Sequence, residues 1–388
     1  MNIEHKITGD ELVVGLIGHI NSGNAAEAEA LINEAIGTAP GAKLILDAQK
    51  LEYIASVGLR IILRLKKAHK ELKIINVSND VYEVFDMTGF TEMMDIQKAY
   101  RELSVEGCEA IGQGSNGVVY RLDPETVVKV YRDKNSLPLI ERERELARKA
   151  FVMGIPTAIS YDVAKVGDTY GSVFELLNAK SYSKILAEEP EREDEVVGMF
   201  VDILRNMHGT MMKPGEIPEM KETAVNWAKD LKGHIPAQQH EKLMKMLDEV
   251  PDSMNLLHGD YHFKNVMIQN GESLIIDMDT LCTGNPVFEF GSIFNAYVGF
   301  GESRPDNVTG FLGLPYDKTQ IIWKKILQAY FETDDAAVLE DKENKAKVIG
   351  YTRLLRRAIR RESDKTDIIN TYRAELIEAI DKVQSLAY

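Results

Sequence analysis

A chain of 388 residues is long for a single hydrophobic core, so two or three domains are expected. A hydrophobic fraction of 44% and a charged fraction of 28% describe an ordinary globular protein and exclude collagen-like or long disordered tracts. The formal net charge of -15 repels phosphate backbones and anionic lipid over most of the surface, which argues against nucleic-acid or polybasic membrane partners and means that any anionic ligand needs a local basic site.

From Glu11 to Ile20 the run ELVVGLIGHI reads as a strand, and NAAEAEALINEAIG, with Ala, Leu and Ile at helical spacing, reads as a helix. AKLILDA (42–48) is a second strand. Ser56 is expected to cap the helix GLRIILRLKKAHKE, whose apolar residues recur at Leu59, Ile62, Leu63 and Leu65. LKIINV (72–77) is a third strand, and NDVYEVFDMTG (79–89) a helix capped by Asn79 and stopped by Gly89. Strands and helices alternate as in an open α/β layer, which predicts a first domain over 1–105.

The order of these elements and the stretch LDAQKLEYIASVGLR (46–60) resemble the STAS domain of anti-sigma-factor antagonists. The resemblance implies an α/β open sheet with helices, acting as a regulatory or docking module with a protein partner. In that family the motif reads Asp, Ser, Ser or Thr, then Gly-Leu, and the hydroxyl just before the Gly is phosphorylated in partner switching. Here Ala55 and Val57 occupy the first and third of those places and only Ser56 keeps a hydroxyl, so Ser56 is read as a helix cap rather than as the usual phosphoswitch.

Near residue 106 the texture changes. IGQGSNGVVYRLDPETVVKVY (111–131) joins a glycine-rich turn to two β-branched runs, with DPET supplying a tight connection. Gly112, Gly114 and Gly117 fit GxGxxG, with Ser115 inside the turn. A dinucleotide fingerprint leads into a helix; here a strand and a hairpin follow, so the turn is a strand-to-strand flap whose backbone N–H groups can cover phosphates. Lys129, flanked by valines, projects from a mostly apolar ribbon and needs a partner; IERERELARKAF (140–151) offers Glu141, Glu143 and Glu145, of which resemblance to the kinase arrangement, by the distance to GIP (154–156), implies Glu143. From Asp194 onward helical patterns dominate.

They are interrupted by HGDYHFKN (258–265) and LIIDMD (274–279). Asp260 and Asn265 have the HxDxxxxN spacing of a kinase catalytic loop. Asp260 can orient or accept the proton of an attacking hydroxyl, and Asn265 offers Mg²⁺ a neutral oxygen beside the carboxylate of Asp277. Alternation along the strand puts Asp279 on the same face as Asp277, as a further ligand or as a cap. His258 is read as structural, while His262 and Lys264 are either structural or within reach of the transferring phosphate; the histidines lack the HExxH spacing of a zinc helix.

The ordered set GxGxxG, Lys129, Glu143, Asp260, Asn265 and Asp277 resembles the protein-kinase-like fold. In detail, HGD for HRD, IDMD for DFG and GNPVFEFGSIF in place of an activation segment are similar to the aminoglycoside phosphotransferase and choline kinase family, over about 106–388. The resemblance implies an α+β two-lobed domain, with a first lobe over 106–182 and a mainly helical second lobe over 183–388. It also implies ATP or GTP with Mg²⁺, phosphoryl transfer to a hydroxyl of a small molecule, Asp260 as catalytic base, and Phe174-Glu175-Leu176-Leu177 as the adenine-facing hinge, with Glu175 and Leu177 at the nucleotide.

In YTRLLRRAIRRES (351–363), Arg353, Arg356, Arg357, Arg360 and Arg361 fall on one helical stripe. The stripe is either a solvated face paired with Glu362, Asp364 and Asp367, or a site for an anionic substrate group or for the acidic N-terminal domain. Cys108 and Cys282 lack CxxC spacing, so buried free thiols are expected. MNIEHKITGDEL lacks a signal-peptide layout and no apolar run reaches the roughly 18 residues of a membrane span, which predicts a cytoplasmic protein. The reading is an ATP-dependent phosphotransferase acting on a small-molecule hydroxyl acceptor; the alternative is a signalling protein kinase or nucleotide-binding switch acting in STAS-type partner switching.

Overall fold

In the computed structural model, which describes residues 1–114, 116–361 and 365–388, the chain begins with a hairpin. β1 (Asn2–Thr8) pairs antiparallel with β2 (Glu11–Ile20), where buried Leu12, Val14 and Leu16 alternate with half-buried Val13, Gly15 and Ile17. β3 (Lys43–Ile54), β4 (Lys73–Val77) and β5 (Asp95–Lys98) continue in parallel, giving a five-stranded sheet ordered β1-β2-β3-β4-β5. The connecting helices are α1 (Ala25–Gly37), α2 (Ser56–Ala68), α3 (Asn79–Met87) and the short α4 (Phe90–Met93). Their apolar faces, among them Ile32, Ile62 and Phe85, share one buried cluster with the sheet residues Val14, Leu46 and Ile74.

Several local expectations change. β1 carries an almost wholly exposed run, so it has no alternation by which to find it. The N-cap of α2 falls on Ala55, whose carbonyl accepts the Leu59 N–H at 3.1 Å; Ser56 is the first helical residue, exposed, and does not cap. Ile61, not Leu63, completes the buried stripe of α2. α3 is capped by Ser78, whose hydroxyl accepts the Val81 N–H, while Asn79 already has helical geometry.

The chain divides into two compact units, Met1–Ser104 with Val163–Asp168, and Val105–Asp162 with Thr169–Tyr388. The first ends its leading segment in β6 (Arg101–Leu103). The second opens with β7 (Ala110–Gln113), β8 (Gly117–Arg121) and β9 (Thr126–Tyr131), followed by α5 (Leu137–Val152). β10 (Asp162–Val166), most of it in the first unit, pairs in parallel with β6. β11 (Thr169–Glu175) returns to the second unit, whose first lobe is an antiparallel array ordered β11-β9-β8-β7.

After β12 (Lys180–Ser181) the second lobe is built on α6 (Tyr182–Glu188), α7 (Glu193–Gly209), α8 (Met220–Lys229) and α9 (Ala237–Asp248). Four short strands then carry the polar loops: β13 (Leu256–Leu257), β14 (Val266–Gln269), β15 (Glu272–Ile275) and β16 (Cys282–Thr283). α10 (Pro286–Phe294), α11 (Phe300–Ser303), α12 (Pro305–Leu312), α13 (Tyr316–Phe331), α14 (Ala336–Arg361) and α15 (Thr366–Lys382) complete the unit. An aromatic cluster holds the loop after β13 from below: Phe200 stacks on Tyr261 with centroids 4.2 Å apart and meets Phe263 edge-on at 4.8 Å. Cys282 is buried and free, as expected, whereas Cys108 is free but only half-buried. Among the described residues no helix is long and apolar enough to cross a membrane.

Candidate active site

The glycine turn between β7 and β8 is pinned from its ends. The Gly114 N–H donates to the Gly117 carbonyl at 3.0 Å, and Arg132 Nη1 donates to the Gly114 carbonyl at 2.8 Å. Gly117 must be glycine because a Cβ there would stand 2.3 Å from the Val130 carbonyl oxygen of the neighbouring strand. Gly112 and Gly114 face no such contact, so the strands themselves do not require them. Ser115 lies outside the described residues.

β9 places buried Val127 and Val128 before Lys129, whose side chain is 18% exposed. Its Nζ lies 3.1 Å from Glu143 Oε1 on α5 and 2.7 Å from Asp277 Oδ1. Burial works against the ammonium charge, but Glu143 and Asp277 outweigh it and hold Lys129 above the usual lysine range. The Tyr131 hydroxyl also donates to Glu143, which fixes the carboxylate on the inner face of α5. Glu175 ends β11 and Leu177 lies two residues beyond it, with the Leu176 N–H between them donating to the Glu125 carbonyl at 2.6 Å. Together with Val119, Val127 and Phe174 they line one side of a cleft of about 1020 Å³ that also contains Lys129, Asp260, Asn265 and Asp277.

HGDYHFKN forms the loop between β13 and β14. Tyr261 and Phe263 are buried and anchor alternate positions, so Asp260 and Lys264 reach the cleft. His258 is completely buried; its Nε2 donates to the Ile276 carbonyl at 3.1 Å and its Nδ1 accepts the Asp260 N–H at 3.3 Å, the pattern of a neutral imidazole holding the loop. Asp260 Oδ2 lies 3.5 Å from His262 Nε2 and Oδ1 lies 3.9 Å from Arg353 Nη2. Burial alone would raise the Asp260 carboxyl, but His262 and Arg353 prevail and keep it well below the usual carboxylate range. Asn265 Nδ2 donates to the Asp260 carbonyl at 3.0 Å, which leaves its amide oxygen for another group.

β15 ends at Ile275, before the acidic residues, so strand alternation does not govern them. Asp277 instead adopts left-handed backbone (φ 66°, ψ 60°) ahead of a single helical turn, Met278–Thr280. Asp279 belongs to that turn and accepts a hydrogen bond from Asn116 Nδ2 at 3.3 Å, which ties it to the glycine turn; the common-face argument for a second ligand does not hold. Burial and the nearby Asp277 and Glu143 carboxylates push Asp279 up to about 7.

Sequence spacing missed the scaffold beneath the loop. Glu289, fully buried on α10, accepts the N–H groups of His258 and Gly259, the latter at 3.1 Å. Gly259 has φ +81°, and a Cβ there would lie 2.5 Å from the Thr280 carbonyl oxygen. Ser292 Oγ and Arg353 Nη1 both donate to the Gly259 carbonyl, at 3.0 and 3.2 Å. GNPVFEFGSIF held the signal for Glu289 and Ser292, but the carboxylate and hydroxyl sit in an otherwise apolar run and match no catalytic spacing.

Among the described residues no group of three or more His, Cys, Asp or Glu is arranged to hold a metal ion. Asn265 and Asp277 supply oxygen donors of the kind that suits Mg²⁺ sharing its shell with phosphate and water.

These two units define a protein that joins an open α/β module to a two-lobed phosphotransferase fold. The model of the phosphotransferase enzyme family matches residues 107–314, and the STAS domain model matches residues 2–103. The chain belongs to the phosphotransferase enzyme family and carries an N-terminal STAS domain. A protein of Bordetella bronchiseptica named as an anti-sigma factor antagonist, BtrV, is 31% identical over 99 residues, 24% of this chain and 84% of that protein. Among solved structures, a thermostable mutant of aminoglycoside phosphotransferase APH(4)-Ia matches with a TM-score of 0.50 at 14% identity, over 71% of this chain and 94% of its own. ADP-bound aminoglycoside phosphotransferase APH(2'')-Ib matches with a TM-score of 0.49 at 13% identity, over 77% and 98%. The likeness to APH(4)-Ia is one of fold.

Proposed function

We propose that this phosphotransferase moves the γ-phosphoryl group of ATP to a hydroxyl of a small molecule, with the STAS domain as a regulatory or docking module for a protein partner. The observation that carries the reading is the meeting of Lys129, Asp260, Asn265 and Asp277 in one cleft, with Lys129 ion-paired to both Glu143 and Asp277. The acceptor oxygen attacks the γ-phosphorus, a new P–O bond forms, the bond to the β-bridging oxygen breaks, and ADP leaves; the hydroxyl proton passes to the Asp260 carboxylate. Because Asp260 is held ionised, its work is to align the hydroxyl and take the proton late, as suits a loose transition state.

Lys129 and the N–H groups of the turn carrying Gly112, Gly114 and Gly117 hold the phosphates. Asn265 and Asp277 would hold Mg²⁺, which when bound supplies charge neutralisation at the β- and γ-phosphates. Glu175 and Leu177 border the slot for the purine base, a position compatible with ATP or GTP. His262 and Lys264 line the same cleft as Asp260, within which they could reach the transferring phosphate. Replacing Asp260 by Asn should leave nucleotide binding intact and abolish transfer; full residual turnover in that variant would remove Asp260 from the role.

A further inference from the structure

The five arginines of α14 do not act as one stripe. Arg356 pairs with Asp230 at 2.6 Å and Arg360 joins the same carboxylate at 3.6 Å, so these two are neutralised from α8's end of the lobe. Arg353, Arg357 and Arg361 sit at successive i, i+4 positions and line the cleft. Of the acids expected to neutralise the stripe, Glu362 and Asp364 lie outside the described residues. Arg353 is engaged by the catalytic loop and by Trp227, whose ring lies 5.5 Å from its guanidinium. Arg357 rests over Phe300 at 5.6 Å. Neither Arg357 nor Arg361, nor Arg304 across the same cleft, forms an ion pair with a described carboxylate.

Three exposed guanidinium groups lining one cleft of a protein of net charge -15 make a local basic site suited to an anion. On the proposed reading the nucleotide phosphates fall to Lys129 and the glycine turn, which leaves these arginines for another anion. A second observation comes from His262, which is 4% exposed, lines the same cleft, and has a buried Nδ1 without a hydrogen-bond partner among the described residues. Its Nε2, 3.5 Å from Asp260 Oδ2, sets the ring beside the carboxylate that the acceptor hydroxyl would meet.

We propose, on the reading of this site as a small-molecule kinase, that the acceptor is itself an anion, a hydroxyl compound bearing a phosphate or carboxylate group that Arg357, Arg361 and Arg304 bind. The helix sets its length. Arg353 Nη2 lies 3.9 Å from Asp260, and α14 rises about 1.5 Å per residue, so Arg357 and Arg361 stand about 6 and 12 Å further along the helix axis. An acceptor whose hydroxyl lies at Asp260 and whose anion lies at these arginines has the dimensions of a phosphorylated or carboxylated sugar or polyol. A polycationic aminoglycoside would place ammonium groups against guanidinium groups that no described carboxylate pairs, an arrangement that selects against binding.

The test uses the full chain saturated with Mg·ADP, which occupies the phosphate side of the cleft, and titrates ribose 5-phosphate against ribose, gluconate against sorbitol, and kanamycin. At least one anionic probe should bind about tenfold tighter than its neutral twin, and the gap should narrow as ionic strength rises. The two pairs separate phosphate from carboxylate as the preferred anion. The Arg357→Ala/Arg361→Ala double variant should lose the preference with Mg·ADP affinity unchanged, and Arg361→Lys should restore part of it. Equal binding within both pairs, tighter binding of kanamycin, or a preference that survives the double variant would overturn the proposal. Failure to bind Mg·ADP would count against the kinase reading instead, and the same titrations without nucleotide would still report the anion preference.

Discussion

Glu289 contributes through a carboxylate that never meets solvent. Burial pushes it up to about 7, against the opposing pull of the His258 and Gly259 N–H groups it accepts. Between its ordinary value of 4.5 and about 7 the folded state therefore binds more protons than the unfolded chain, so this contribution to stability is present at acid pH and is lost as pH rises through 7. Its full span is on the order of 3 kcal/mol. In thermal melts from pH 5 to 8, Glu289→Gln should show a flatter decline than the parent chain; parallel curves would deny the linkage. The meeting of Asp260, Asn265, Lys129 and Asp277 in one cleft was legible because phosphoryl-transfer chemistry asks for these residue types at set spacings. Glu289 was not, because a carboxylate that serves backbone N–H groups needs no spacing, only the tertiary meeting of α10 with the loop. Asp277 was legible in identity but not in conformation: its left-handed backbone costs about 1 kcal/mol, and nothing in LIIDMD announces it.

At the scale of elements, the β8–β9 pair explains which glycine of the turn the scaffold requires. A methyl at Gly117 would press into the Val130 carbonyl, so Gly117→Ala should lower unfolding stability by about 1–3 kcal/mol. Gly114→Ala, with open space around it, should change stability by less than about 0.5 kcal/mol while weakening nucleotide binding. Chemical denaturation paired with nucleotide titration separates the two, and equal destabilisation would refute the distinction. β2, α1, β4 and the β8–β9 hairpin could be read from period and turn chemistry. β1 could not, since its side chains are largely exposed, nor could β5, whose four residues with one apolar side chain are too short a run to show a period. The caps of α2 and α3 each moved one residue toward the N-terminus because the cap is set by where the preceding backbone leaves extended geometry.

Over the whole molecule, an acidic chain gathers Arg304, Arg353, Arg357 and Arg361 along one cleft. Composition fixed the sign of the surface but not its distribution, since the division of the α14 arginines between Asp230 and the cleft depends on which helix packs beside them. The chain carries a STAS domain ahead of its phosphotransferase-family region, and the proposed catalytic groups all lie in the second unit, residues 105–162 and 169–388. The most direct test of the account is ADP release by the full chain with MgATP, with and without a pool of small hydroxyl compounds that includes sugars, amino alcohols, nucleosides and their phosphorylated and carboxylated forms. The account predicts release that depends on the pool, and subdividing the pool then isolates the acceptor. ATP binding without acceptor-dependent ADP release would contradict it.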